Sequence, residues 1–133
     1  MRRAGPVASR TAAEGETTVA LIRDAGGQAT FITTDVGKAD DVKRLIDQTM
    51  ATYGRIDALV NNAGFSEHPT FADTDPPAWR HDIDGNLNGA YYCVQAFLPG
   101  MRKRGSGTIV NVISEAGKAA SPKAGPAYVM SKF

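Results

Sequence analysis

Apolar residues recur along the chain with two different periods, and the two alternate. Between Ala39 and Tyr53, the residues Val42, Leu45, Ile46, Met50 and Tyr53 stand at i, i+3, i+4, i+8 and i+11, one face of a helix that Gly54 closes. An earlier helix is predicted from Ala12 to Ala25, with Val19 and Ile22 inward and Gly26-Gly27 as its stop. Pro76-Pro77 opens a long helix, because proline is tolerated in a first turn, and the helix runs to Arg102. Its inner stripe reads Trp79, Ile83, Leu87, Ala90, Val94, Phe97 or Leu98, and Met101. Between the helices lie short β-rich runs at Gln28–Thr34, Ile56–Val60 and Thr108–Ile113, the second apolar enough to be buried on both faces. The polar stretch Phe65 to Asp75 reads as a loop. A second loop, with Gly117, Pro122, Gly125 and Pro126, leads into a last helix that begins at Tyr128.

Strands separated by helices of this length require right-handed crossovers, which make a parallel sheet covered on both faces. The class is therefore α/β, doubly wound, and residues 1–133 read as one domain without repeat, linker or low-complexity tract. The length suits a single domain, which at this size buries roughly two thirds of its unfolded surface. Fifteen Lys and Arg against fourteen Asp and Glu leave a net charge of +1, no excess with which to displace the counterions of a nucleic acid. No apolar run approaches the ~20 residues that cross a bilayer, and Met1-Arg2-Arg3 is not followed by the apolar core of a secretory signal. Cys93 is the only cysteine, so no internal disulfide framework exists, which fits a reducing, cytoplasmic setting.

In a parallel α/β sheet ligands bind beyond the carboxyl ends of the strands. The residues found there are Asp35-Val36, Asn61-Asn62-Ala63-Gly64, and Ser114 after Ile113. They are small, polar or glycine, and let a ligand come close to the backbone. Tyr128 and Lys132 stand at i and i+4 of the last helix and point the same way.

Taken in order, Asn61-Asn62-Ala63-Gly64, Asn86 within a long helix, Ser114 after Val-Asn-Val-Ile, and Tyr128-x-x-x-Lys132 resemble the short-chain dehydrogenase/reductase family, from about Val7 to Phe133. Any one of these motifs is weak alone; the order and the element that carries each make the resemblance specific. It implies a Rossmann-like fold and hydride transfer between a nicotinamide and a small-molecule carbonyl or alcohol. Tyr128 would be the general acid for reduction and the base for oxidation. A phenol with an ordinary pKa of ~10 is a poor catalyst at neutral pH, and an ammonium one helical turn on, Lys132, is placed to favour the phenolate. Lys132 would also bind the nicotinamide ribose, Ser114 would hold the substrate oxygen, and Asn86 would support a water-linked proton path to Lys132. Asp35 and Val36 correspond to the pair that contacts adenine, and Asn62, Ala63 and Gly64 to the residues lining the cofactor beside its adenosine ribose. Ser9-Arg10 stands where the family ends its second strand, a strand shortened here around Gly5-Pro6-Val7. Arg10 suits the 2′-phosphate of NADP better than the 2′-hydroxyl of NAD, which favours NADP over NAD. The resemblance also implies a homo-oligomer in the intact form.

Several of these residues have plainer readings. Asp35 suits a turn or a cap as well as a ligand contact. Asn86 on its own reads as a solvent-facing helix residue, and the Asn61–Gly64 run as a simple turn. Gly85 and Gly89, each costing roughly 1 kcal/mol against alanine in a helix, mark either close packing within the chain or the seat of a helix from another subunit. His68 and His81 have no metal-ligand spacing and read as solvated. Arg102-Lys103-Arg104 is a favourable charge set at a helix end.

The chain departs from the family pattern in three places. The Ser114 to Tyr128 interval is about one residue longer than usual, a difference a Gly- and Pro-bearing loop absorbs. None of the 14 glycines forms the Gly-x-x-x-Gly-x-Gly turn that follows the family's first strand and holds the cofactor pyrophosphate on a helix N-terminus. Single domains of this fold run to ~200–250 residues, so the sequence reads as the middle half of one, without that first strand and without the C-terminal strands. In the family's sheet order the first strand lies between the second and the fourth. Without it, unpaired strand edges are expected on either side of a gap. This leaves a second reading open, a catalytically inert fragment serving at most as a binding or interaction module.

Overall fold

The computed structural model of the chain describes residues 4–67, 70–119 and 124–133. Strands and helices alternate through it: β1 (Ala4–Ser9), α1 (Ala12–Asp24), β2 (Gln28–Thr33), α2 (Ala39–Tyr53), β3 (Ala58–Asn61), α3 (Pro76–Ile83), α4 (Gly89–Arg104), β4 (Thr108–Asn111) and α5 (Pro126–Lys132). The predicted stops work by conformation. Gly54 and Gly105 take the left-handed backbone, at φ of 72° and 69°, that closes α2 and α4. Asp75 caps α3 by accepting the Ala78 N–H at 2.8 Å, with Pro76 and Pro77 in the first turn.

All observed pairing is parallel. β1 pairs with β2 and β3 with β4, and the two pairs do not hydrogen-bond to each other. Ile32, Val42, Leu45, Cys93 and Phe97 form the core between the strands, α2 and α4, with Ala8 of β1 and Leu59 of β3 packed against it. On the other face α1 closes onto β2, where Gly15 stands so near the Phe31 ring that a Cβ there would lie 2.1 Å from it. The expected gap in the sheet is therefore present, and the architecture is an incomplete Rossmann-like one.

Four expectations need correction. The segment around Gly5-Pro6-Val7 is a full six-residue strand; Pro6 is tolerated because β1 has a partner on one side only. The Ile56–Val60 run is not buried on both faces: the strand is Ala58–Asn61, and Val60 is 58% exposed opposite Val110, 45% exposed, so among the described residues that side of the β3–β4 pair is open. On α2, Thr49 takes the inward position and Met50 turns out to solvent.

The fourth concerns the long helix, which is interrupted by a π-helical turn at Asp84–Asn88. Asn86 causes it. Its side-chain amide donates to the Asp82 carbonyl at 2.9 Å, the group that its own backbone N–H would use in an α-helix, and Gly89 N–H reaches back five residues to Asp84. From the turn onward, Asn86, Gly89 and Cys93 take the inward places expected for Leu87, Ala90 and Val94, while Phe97 and Met101 stand as expected. Asn86, Gly89, Cys93, Phe97 and Met101 are buried, while Leu87 is 48% exposed.

Candidate active site

The carboxyl ends of the strands open onto one cavity of about 1050 Å³, which runs down between the two strand pairs. Of the residues singled out above, Arg10, Asp35, Val36, Asn62, Ala63, Gly64, Asn86 and Lys132 line it. Ser114 and Tyr128 stand off its wall.

Asn86, 5% exposed, spends its whole amide on the backbone: Oδ1 accepts the Phe65 N–H at 2.9 Å, and Nδ2 donates to the carbonyls of Phe65 at 2.8 Å and Asp82 at 2.9 Å. The plain reading of a solvent-facing residue is thus wrong, because these bonds pull it under the loop that follows β3. Gly64 sits against it. A Cβ at that position would lie 2.9 Å from Asn86 Oδ1 and 3.1 Å from Lys132 Nζ, so only glycine lets the loop close over both. Lys132 Nζ donates to the Val112 carbonyl at 3.3 Å and lies 5.7 Å from the centre of the Tyr128 ring. Tyr128 and Lys132 share one side of α5, as i and i+4 residues must. Ser114 accepts the Ala116 N–H at 3.2 Å and starts a short 3₁₀ turn over Glu115–Gly117; among the described residues its hydroxyl has no acceptor for its proton.

At the end of β2 both readings of Asp35 apply at once. Its carboxylate accepts the Gly37 N–H at 3.1 Å, as a turn residue does, and it still faces the cavity. Its own N–H donates to Asp41 Oδ2 at 2.9 Å. That bond, with the Arg44 guanidinium beside it, holds the Asp41 carboxyl below its ordinary value. Val36 packs on Gly89, where a Cβ would come within 2.7 Å of it, and Gly85 faces the Phe65 ring at 2.4 Å by the same measure. Both glycines thus serve close packing within this chain.

Sequence reasoning missed Phe65. Its backbone is clamped by Asn86, its ring lies 4.7 Å from the His81 ring, and the Arg10 guanidinium sits 4.4 Å above it. The available signal was its position directly after Asn-Asn-Ala-Gly, opposite a helix carrying Gly85. His81 is exposed, as expected, and on the surface it contacts Arg10 at 3.4 Å and Glu67 at 3.7 Å. His68 and Pro122 lie outside the described residues. Arg104 bonds the carbonyls of Gly100 and Ile56, tying the end of α4 to the entry of β3. Among the described residues no three His, Cys, Asp or Glu side chains come together as metal ligands, and no helix is long and apolar enough to cross a membrane.

Comparison with known proteins matches this arrangement. The family model described as short chain dehydrogenase covers residues 5–133. A 3beta-hydroxysteroid dehydrogenase of Mediterraneibacter gnavus is 38% identical over 124 residues, 92% of this chain and 44% of that protein. Among solved structures, a 3-oxoacyl-[acyl-carrier protein] reductase of Brucella melitensis with bound NAD superposes with a TM-score of 0.86 at 31% identity, over 97% of this chain and 50% of the other. A gluconate 5-dehydrogenase of Burkholderia cenocepacia, in complex with NADP and tartrate, gives 0.83 at 31% identity over 96% and 49%. The chain spans about half the length of the relatives it matches. On its motifs, its parallel α/β architecture and these matches together, the chain belongs to the short-chain dehydrogenase/reductase family of oxidoreductases.

Proposed function

We propose that the chain carries the central part of an NAD(P)-dependent oxidoreductase site, in which Tyr128 moves the proton that accompanies hydride transfer to or from a small carbonyl or alcohol. The observation that carries this reading is the convergence of Gly64, Asn86 and Lys132 on one wall of the cavity, where Gly64 lets the loop close onto the other two side chains. Arg10, Asp35, Val36, Asn62, Ala63 and Gly64 suit the adenosine end of the cofactor, and Tyr128 with Lys132 the nicotinamide ribose. The cofactor, when bound, supplies or accepts the hydride.

In reduction the Tyr128 hydroxyl gives its proton to the substrate oxygen; in oxidation the same oxygen takes the proton back. Ser114 donates its hydroxyl proton to the substrate oxygen and holds it beside Tyr128. The Lys132 ammonium, 5.7 Å from the ring, stabilises negative charge developing at the phenol oxygen. Asn86, which fixes the loop over Lys132, supports a water-linked proton path toward that lysine. Arg10 favours NADP, since a guanidinium matches a 2′-phosphate in charge and geometry. NAD and NADP both occur in the related structures. The intact protein is a homo-oligomer in this reading, and the single cysteine suits a reducing cytoplasm.

The test is Tyr128→Phe in a polypeptide joining residues 1–133 to the glycine-rich strand and turn. Turnover with NADPH should fall about 100- to 10,000-fold, the range of a lost general acid, while NADPH binding stays within about twofold. Retained turnover overturns the assignment of Tyr128.

A further inference from the structure

Tyr128 and Lys132 both stand on α5, a helix of seven residues, so the place of that helix decides where the phenol stands. Its far end is set by packing. Gly117, in the turn that Ser114 starts, faces the Lys132 carbonyl so closely that a Cβ there would lie 2.1 Å from the oxygen. At the near end Gly125, Pro126 and Ala127 are buried, and α5 packs on α3 and on the π-helical turn. Gly125 stands at the N-cap and brings no capping side chain of its own.

A buried backbone N–H without a partner costs about as much as a lost hydrogen bond. The partner of the Gly125 N–H comes from 59 residues away: Ser66 Oγ accepts it at 3.0 Å. Ser66 directly follows Phe65, whose N–H and C=O are both bonded to the Asn86 amide, at 2.9 and 2.8 Å. The Phe65 ring fills the notch left at Gly85. An unbroken path of hydrogen bonds and covalent links therefore runs from the π-helical turn, through Asn86, Phe65 and Ser66, to the residue at the head of the helix that carries Tyr128.

We propose that Ser66 is a positioning residue for Tyr128. It carries the Asn86 clamp across to the start of α5 and fixes the approach of the phenol to Lys132 and to the substrate oxygen. Ser66 touches no reacting atom; it acts through Gly125. Pro126 and Ala127 bury apolar surface, whose attraction has no direction, whereas a hydrogen bond weakens steeply with distance and angle and so sets the register of the helix. The consequence for turnover rests on the reading of Tyr128 as the proton carrier; the placement itself is read without any reaction.

Two measurements keep these apart. The first uses the isotope-labelled 133-residue chain without cofactor. Ser66→Ala should speed amide exchange at Gly125 about tenfold and displace the NMR signals of the Tyr128 ring. Ser66→Thr keeps the acceptor oxygen and should return both toward those of the unaltered chain. Thr70→Ala removes bonds to Asp73 in the same loop without touching Gly125, and should move neither. Unchanged Gly125 exchange or unchanged Tyr128 signals in Ser66→Ala overturn the proposal. An equal acceleration at Ile32 and Val42 of the core also overturns it, in favour of general loosening.

The second uses the polypeptide joined to the glycine-rich strand and turn. There Ser66→Ala should lower kcat about ten- to a hundredfold, the scale of a misplaced reacting group, and leave KM and NADPH binding within about twofold. Ser66→Thr should recover most of the loss. A raised KM with kcat unchanged overturns the positioning role. Retained turnover in Tyr128→Phe sinks the hydride-transfer reading alone, because exchange at Gly125 and the ring signals still decide whether Ser66 places Tyr128.

Discussion

Cys93 shows how a single residue is set by its surroundings. The sequence offers a lone thiol; packing beside Phe97 and Leu45 pushes its pKa up to about 11, through burial that disfavours the thiolate. The folded chain should therefore react with iodoacetamide at pH 8 at least about a hundredfold more slowly than the same chain in denaturant, as followed by mass spectrometry. Equal rates would mean that the α4 core face opens readily. Asn86 carries the opposite lesson. Its place in the motif order was legible, but its amide's three backbone partners were not, since Phe65 lies 21 residues away and no periodicity links them.

At the scale of elements, propensity and punctuation were informative. Both boundaries of α2, the caps of α3 and α4, and the parallel pairing all follow from residues that can be named in the sequence. The turn between β2 and α2 adds an electrostatic contribution. The Asp35 N–H, and after it Arg44, favour the ionised Asp41 and lower its folded-state pKa from 3.8. A depressed carboxyl contributes stability above its unfolded pKa and loses it as pH falls through the lower folded value. Urea midpoints should thus drop below about pH 4 in the native chain, and Asp41→Asn should flatten that acid limb while lowering stability near neutrality. A variant with an unchanged acid limb would remove Asp41 from the account. The π-helical turn was not legible. It depends on a side chain competing with its own backbone for one carbonyl, and beyond it Gly89 and Cys93 face inward in place of Ala90 and Val94, while Phe97 and Met101 do so as expected.

For the whole molecule the decisive feature is the split sheet. The cofactor reading calls for an anion site at a helix N-terminus after a central strand, and no Gly-x-x-x-Gly-x-Gly turn occurs in these 133 residues. The 133-residue chain by itself is expected to bind NADPH weaker than micromolar, checked by nicotinamide fluorescence; micromolar affinity would refute this. Two open parallel edges and the bare Val60–Val110 face predict marginal stability or association as well. Light scattering during a thermal ramp should show aggregation, and a sharp reversible monomeric transition would contradict it.

The sequence by itself determined the α/β class, the order of elements, the family, and which residues stand at the carboxyl ends of the strands. Those properties reside in local periodicity, in turn chemistry and in motifs a few residues long. Only the tertiary structure decided that β1 is a full strand with Pro6 on an open edge. The same holds for Phe65, which Arg10, His81 and Asn86 fix together, and for the one groove faced by both strand pairs. Each of these depends on which residues meet across long stretches of chain, and hydrogen bonds and packing between distant segments leave no period in the sequence.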